Sequence, residues 1–186
     1  MKTAASRRSF AYAAIGLPAI AAALFAVKTG RLDTFGDNRN FKVVYEKPTG
    51  WKELPHGPQT LFLFQEPRTG VLLRGAVNQI VADVNPTPEL DTDGIAQYYV
   101  DRTHENMKDW QAKMGEKVKA KDGEFRIIER ERKDKKVVTA YAVKGNTTLL
   151  VSISGGPEAK VEVDRKMPEF KEYLSSIGLV ETYIPE

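Results

Sequence analysis

The chain has 186 residues, 41% hydrophobic and 28% charged, a globular composition sized for one folded domain. It has no cysteine and two histidines, His56 and His104. That excludes disulfides, thiolate metal sites and a cysteine nucleophile, and leaves too few imidazoles for a three-histidine metal centre. The net charge of +3 comes from the N-terminus, where Lys2, Arg7, Arg8 and Lys28 precede the first acid. Without them 24 basic residues face 25 acidic ones, so there is no whole-domain basic footprint for nucleic acid.

Residues 1–9 form a basic N-terminus. Phe10 to Val27 is an uncharged run of 18 residues. As a helix it would rise about 27 Å, close to the roughly 30 Å hydrocarbon core of a bilayer. The positive flank keeps residues 1–9 cytoplasmic and places the rest of the chain in the periplasm. Ser6-Arg7-Arg8-Ser9-Phe10 resembles a twin-arginine export signal, although Ala11 and Tyr12 stand where that signal has Leu and Lys. An ordinary signal peptide or anchor is the alternative. Ala21-Ala22-Ala23 offers a cleavage site, but the apolar run continues through Leu24 to Val27. The expectation is a retained single-pass inner-membrane anchor over 10–27. Its small residues Gly16, Ala19, Ala22, Ala23 and Ala26 suit close packing against other membrane helices.

Residues 28–40 are polar, contain two glycines and read as a linker. The domain spans 41–186. Phe41 to Tyr45 reads as a strand, and Pro48-Thr49-Gly50 as a turn before Trp51. Leu61 to Gln65 is a short apolar strand, and Pro67 to Gly70 a hairpin turn. Val71 to Ala82 is a longer strand with Gly75 as a bulge. Asp83 to Pro88 is a loop. Asp91 and Asp93 open a helix expected over about 92–113, with a break near Asn106 and Gly115 as its C′ residue. Asp122-Gly123 starts a three-strand meander over 124–132, 136–143 and 147–154. Leu149, Val151 and Ile153 alternate with Leu150, Ser152 and Ser154, which gives one buried and one wetter face. A closing helix over about 164–177 carries Met167, Phe170, Tyr173, Leu174 and Ile177 on one stripe, with Pro168 in its first turn and Gly178 at its end.

This order predicts an α+β fold: an antiparallel sheet with helices packed on it. Gly50-Trp51-Lys52, Asp122-Gly123 with the strand Phe125 to Glu129, and the strand Leu149 to Ser154 before the closing helix resemble the PsbP-like family. That family comprises extrinsic proteins of the photosynthetic oxygen-evolving complex and their bacterial relatives. The resemblance spans about 41–180. It implies an α/β/α sandwich and a non-enzymatic accessory or assembly role on the outer face of a membrane complex. This sequence departs from the family in its own transmembrane segment and its scarcity of histidines.

Residues 116–136 hold nine basic and six acidic residues. Glu129-Arg130-Glu131-Arg132-Lys133 alternates in sign, which on a strand sorts like charges to one face. Arg126, Arg130, Arg132, Lys133, Lys135 and Lys136 are therefore a candidate docking surface for an acidic partner or anionic headgroup; the other reading is a solvated sheet face or edge. His56 lies in a loop. Asp101 and His104 stand at i,i+3 on the expected helix, a spacing that suits either a metal pair or a solvated face. Tyr98, Tyr99 and Trp110 would line a pocket between helix and sheet or else belong to the core. Asp91 and Asp93 suit capping better than acid–base chemistry. No nucleophile-elbow, P-loop, dinucleotide, zincin or EF-hand pattern occurs.

The expected protein is not an enzyme and needs no cofactor. Its expected partners are integral membrane subunits of a host complex and the lipid bilayer, with no nucleic acid. The alternative is a tethered periplasmic module that binds a ligand or lipid.

Overall fold

The computed structural model describes residues 31–32, 39–79, 91–144 and 147–183. The 10–27 segment, the 83–88 loop and the Gly145-Asn146 turn lie outside the described residues. Among the described residues no helix is long and apolar enough to cross a membrane.

Ten strands and three helices follow in chain order among the described residues: β1 (Arg31–Leu32), β2 (Arg39–Val44), β3 (Lys52–Glu53), β4 (Thr60–Gln65), β5 (Leu72–Gln79), α1 (Thr92–Asn106), β6 (Gln111–Ala120), β7 (Gly123–Arg132), β8 (Lys135–Lys144), β9 (Thr147–Gly155), α2 (Lys160–Arg165), α3 (Met167–Ser176) and β10 (Gly178–Tyr183). Seven strands form one antiparallel sheet in the order β3-β4-β5-β9-β8-β7-β6, and β1-β2-β10 form a small second sheet. The α+β class expected from the sequence is the observed one.

Both faces of the large sheet are used. On the first face Phe62, Phe64, Leu73, Phe125, Ile127, Val138, Leu149, Val151 and Ile153 pack under Val163, Phe170 and Leu174 of α2 and α3 and under Val43 and Leu179 of the small sheet. On the second face Ile95, Ala96 and Val100 of α1 pack on Ile128 and Tyr141. The alternation expected for β9 holds: Leu149, Val151 and Ile153 are buried while Leu150, Ser152 and Ser154 are half-buried. The layers are thus α1, the sheet, and α2–α3 with the small sheet.

The expected long helix ends earlier than its sequence pattern indicates. α1 stops at Asn106, and Gln111–Ala120 is a strand, so Gly115 is not a helix terminus. Ala112, Met114, Val118 and Ala120 do alternate with polar residues, but the register shifts between Met114 and Lys117. Ala112 and Met114 therefore face α1, while Val118 joins the opposite core. That bulge breaks the period of two, and Trp110 with Met114 imitates a helical i,i+4 pair. The meander has four strands rather than three.

The closing helix is two helices with Lys166 between them and Pro168 in the first turn of the second. Gly178 ends it as expected, but the chain continues as β10, whose backbone pairs with β2 over six residue pairs. Gly75 is not the bulged residue either. The irregularity lies in β4, between Thr60 and Phe62.

Candidate docking surface

The strand β7 sorts its charges as the alternation requires. Register places Glu129 opposite Val138 and Glu131 opposite Lys136 on the first face, whereas Arg126, Arg130 and Arg132 share the second face with Tyr141, Val137 and Lys135. The six cations singled out in the sequence therefore divide between environments.

Lys136 points to the first face. It is 8% exposed and held by Asp164, by Glu129 at 3.3 Å and by Glu131 at 4.0 Å. Desolvation works against its charge, but the hydrogen bond and field of Asp164 outweigh it, so its pKa is raised. Lys160 of α2 adds a contact to Glu131 at 2.8 Å and donates to the carbonyl oxygens of Arg132 and Lys133. This network fastens α2 to the β7–β8 turn. It is satisfied internally and offers no cation to a partner.

Arg126 is on the second face but is also engaged. Its Nε donates to Asp93 Oδ1 at 2.7 Å, and Nη1 donates to the Gly115 carbonyl. Lys117 reaches Asp93 at 3.0 Å and Glu124 at 2.6 Å. The Arg126 hydrogen bond, seconded by Lys117, holds the Asp93 carboxyl down to about 2. These contacts pin the first turn of α1 to β6 and β7. Asp91 caps the helix, accepting from the Gly94 amide at 2.7 Å, and Thr92 Oγ1 accepts from the Val143 amide at 3.2 Å. Of the two aspartates, Asp91 is the cap and Asp93 an ion-pair partner.

Further along the second face the cations lose their acids. Arg130 Nη2 donates to Thr139 Oγ1 at 3.0 Å, and its buried Nε has no hydrogen-bond partner. Arg74 Nε donates to Thr60 Oγ1 at 3.2 Å. Among the described residues neither arginine, nor Lys52 nor Lys135, makes a salt bridge; Arg132 alone on this end has one, to Asp134 at 2.7 Å. Leu63, Leu72 and Val137 stand half-buried among them and belong to neither core cluster. α1 packs mainly on β6, β7 and β8 and reaches β9 at Leu150, so among the described residues no helix is centred over β5, β4 and the rest of β9 on this face.

The edges of the sheet are less inviting. β3 is two residues long. β6 is longer but bulged and studded with Lys113, Lys117 and Lys119, features that oppose strand addition.

The other candidates resolve into structure. His56 Nδ1 lies 3.3 Å from the Gly57 carbonyl in an exposed loop. His104 Nε2 lies 3.3 Å from the Ala112 amide nitrogen and 3.0 Å from its carbonyl oxygen, joining the end of α1 to β6. Asp101 instead accepts from Gln97 Nε2 at 2.8 Å. No group of three or more metal-ligating side chains occurs among the described residues. Tyr99 stacks on Tyr141 with ring centroids 4.8 Å apart, and Tyr98 meets Tyr99 edge-on. Trp110 is not with them; the Arg132 guanidinium lies 5.2 Å from its ring centre.

One feature was not foreseen. An open pocket of about 240 Å³ lies at the Gly50-Trp51 turn, lined by Trp51, Glu66, Arg68, Lys166 and Glu169 among others. Trp51 Nε1 and Lys166 Nζ each donate to Glu169 at 2.7 Å. The Thr69 hydroxyl and amide and the Arg68 amide donate to Glu66 and hold its carboxyl below the usual range. The Trp51–Glu169 bond ties the Trp51 turn to the α2–α3 junction, while the Glu66 bonds brace the β4–β5 hairpin from within. Only Gly50-Trp51 signalled it in the sequence; Lys166 and Glu169 come from more than 100 residues away.

No protein-family model matches the chain, and no curated protein matches it. Among solved structures it is similar to the solution structure of cyanobacterial PsbP (CyanoP) from Synechocystis sp. PCC 6803, at 15% identity and a TM-score of 0.48, over 81% of this chain and 91% of that one. It is also similar to a crystal structure from Bacteroides thetaiotaomicron, at 13% identity and a TM-score of 0.36, over 75% of this chain and 45% of that one.

Proposed function

We propose that the chain is a non-catalytic accessory or assembly subunit of a larger membrane-protein complex. Residues 10–27 tether it to the inner membrane, and residues 41–186 work on the periplasmic side. The host is an energy-transducing complex, photosynthetic ones included; that part rests on the resemblance of the Gly50-Trp51, Asp122-Gly123 and Leu149–Ser154 segments to the PsbP-like family. Fold likeness alone does not give a function. The observation that carries the reading is the second face of the sheet, where Arg74, Arg130 and Lys135 lack acidic partners beside half-buried leucines. A free monomer gains nothing from that arrangement, whereas a bound partner supplies both missing charge and apolar cover.

The test is gentle detergent extraction of the tagged full chain, followed by native electrophoresis and mass spectrometry. Co-migration with integral membrane subunits at fixed stoichiometry, with the N-terminal peptide intact, is the expected result. A mature chain that starts near residue 24 and migrates alone overturns it. A tethered ligand-binding module is the second reading, favoured by the pocket beside Trp51. Native mass spectrometry of the extracted protein separates the two, since that module would carry a bound small molecule.

A further inference from the structure

We infer that the strip on the second face over β9, β5 and β4, on which no helix is centred among the described residues, is the seat of an acidic amphipathic α-helix contributed by a partner protein. The inference rests on the accessory-subunit reading and names the element through which the partner docks.

The dimensions come first. Strands in a sheet are about 4.8 Å apart, so the three columns beside α1 make a strip roughly 14 Å wide. A helix with its side chains is about 10–12 Å across. β5, the central strand of the strip, has eight residues, or about 26 Å of length. A helix of four to five turns spans that distance. α1 runs alongside, from Asp93 near Lys117 to His104 near Ala112, and forms one wall. A second helix would lie beside it as helices do on the covered face of an α/β layer.

The chemistry comes second. Leu63 of β4 and Leu72 of β5 give the strip apolar ground, with Ser152 and Ser154 of β9 between them and Val137 of β8; Arg74 stands on β5 among them, and Arg130 and Lys135 flank Val137 on β7 and β8. On the strands of this strip no acid occurs. On the opposite face, by contrast, Lys113, Lys136 and Lys160 each reach a carboxylate. Along β7 all three arginines lie on the second face, and the one acid that shares it, Glu124, is taken up by Lys117 at the far end of the strand. A partner that complements the strip must bring apolar side chains to Leu63, Leu72 and Val137 and acids to Arg74, Arg130 and Lys135, a combination that an acidic amphipathic helix carries. A flat anionic membrane fits less well, because α1 stands about one helix diameter, roughly 10 Å, above the floor beside it and would hold the leucines away from a planar surface.

The experiment uses the full chain in detergent micelles and a fluorescent 18-residue helical peptide with Leu on one face and Glu on the other. A peptide with Lys in place of Glu is the control. Anisotropy is expected to show at least tenfold tighter binding of the Glu peptide, weakening as salt rises. The double reversal Arg74→Glu and Lys135→Glu is expected to abolish that preference, while Lys119→Glu and Lys171→Glu, away from the strip, leave it intact. Equal binding of both peptides, or indifference to the Arg74/Lys135 reversal, overturns the inference. So does a reversal that abolishes only binding to phosphatidylglycerol vesicles, which would make the strip a lipid surface. If wild type and the reversed variant both co-migrate with the host complex, the strip is not the docking site but the accessory role stands. If wild type itself migrates alone, it is the accessory role that fails.

Discussion

The ring of Phe62 occupies the space a side chain at Gly75 would need: a Cβ there would stand 2.3 Å from Phe62 Cε1. The two are cross-strand partners, and Phe62 is almost completely buried, stacked on Phe64 and edge-on to Tyr173. An aromatic ring laid over a glycine on the neighbouring strand covers backbone that would otherwise be a hole in the core.

Gly75→Ala should therefore cost about 3 kcal/mol, because the ring cannot move without disturbing three other aromatics, Tyr45, Phe64 and Tyr173. Thermal unfolding should fall by roughly 8 °C. In a Phe62→Leu background the same substitution should cost far less, since the obstacle is gone. Strictly additive losses in that double-mutant cycle would show that the ring is not the reason for the glycine.

That pair also shows what the sequence carries and what it hides. Gly75 inside an apolar strand signals a special position, but its meaning lies in Phe62, on another strand, which no local pattern reveals. The alternation of β9 and the sorted charges of Glu129–Arg132 were legible because each is a property of one strand. β6 is hidden in the sequence because its bulge moves Val118 to the other core. β10 escaped because Gly178 ends a helix and begins a strand at once. Of the six candidate docking cations, sequence separates neither Lys136, captured by Asp164, nor Arg126, captured by Asp93. Those captures depend on helices arriving from elsewhere in the chain.

Asp93 gives the fold an acid-sensitive contact. Its carboxyl, held at about 2 by Arg126 and Lys117, sits below its ordinary 3.8. A group depressed in the folded state stabilises above its unfolded pKa and loses that contribution as pH falls through the folded value. The loss thus develops between about pH 4 and pH 2. Because the side chain is 39% exposed, screening reduces the contribution to about 1 kcal/mol. Urea unfolding of Asp93→Asn should show lower stability at pH 6 and a smaller further loss on acidification to pH 2. A pH slope equal to wild type would remove Asp93 from the account.

Tyr173 should respond in the opposite sense. Its ring is buried against Phe62, its hydroxyl has no hydrogen-bond partner, and burial pushes its pKa far up. A buried hydroxyl without a partner costs about 1–3 kcal/mol of desolvation. Tyr173→Phe keeps the ring and removes the orphan, so it should be neutral or stabilising by up to about 1 kcal/mol. Denaturant melts decide this: a midpoint that drops clearly would mean that the hydroxyl is bonded in solution, for instance through an ordered water.

The final expectation concerns residues 10–27. If that run is a membrane helix that packs on others, its small side chains set the approach distance, and two extra leucines would hold the backbones apart. Ala22→Leu with Ala23→Leu makes the segment more apolar, so insertion in the bilayer should be undiminished. Association with the host complex should fall at least fivefold in co-purification, while carbonate extraction still leaves the chain in the membrane. The combination matters. Loss of both properties would indicate a targeting defect. Retention of both would reduce the segment to a passive tether and leave the periplasmic domain, with its arginine-bordered strip, as the whole of the docking surface.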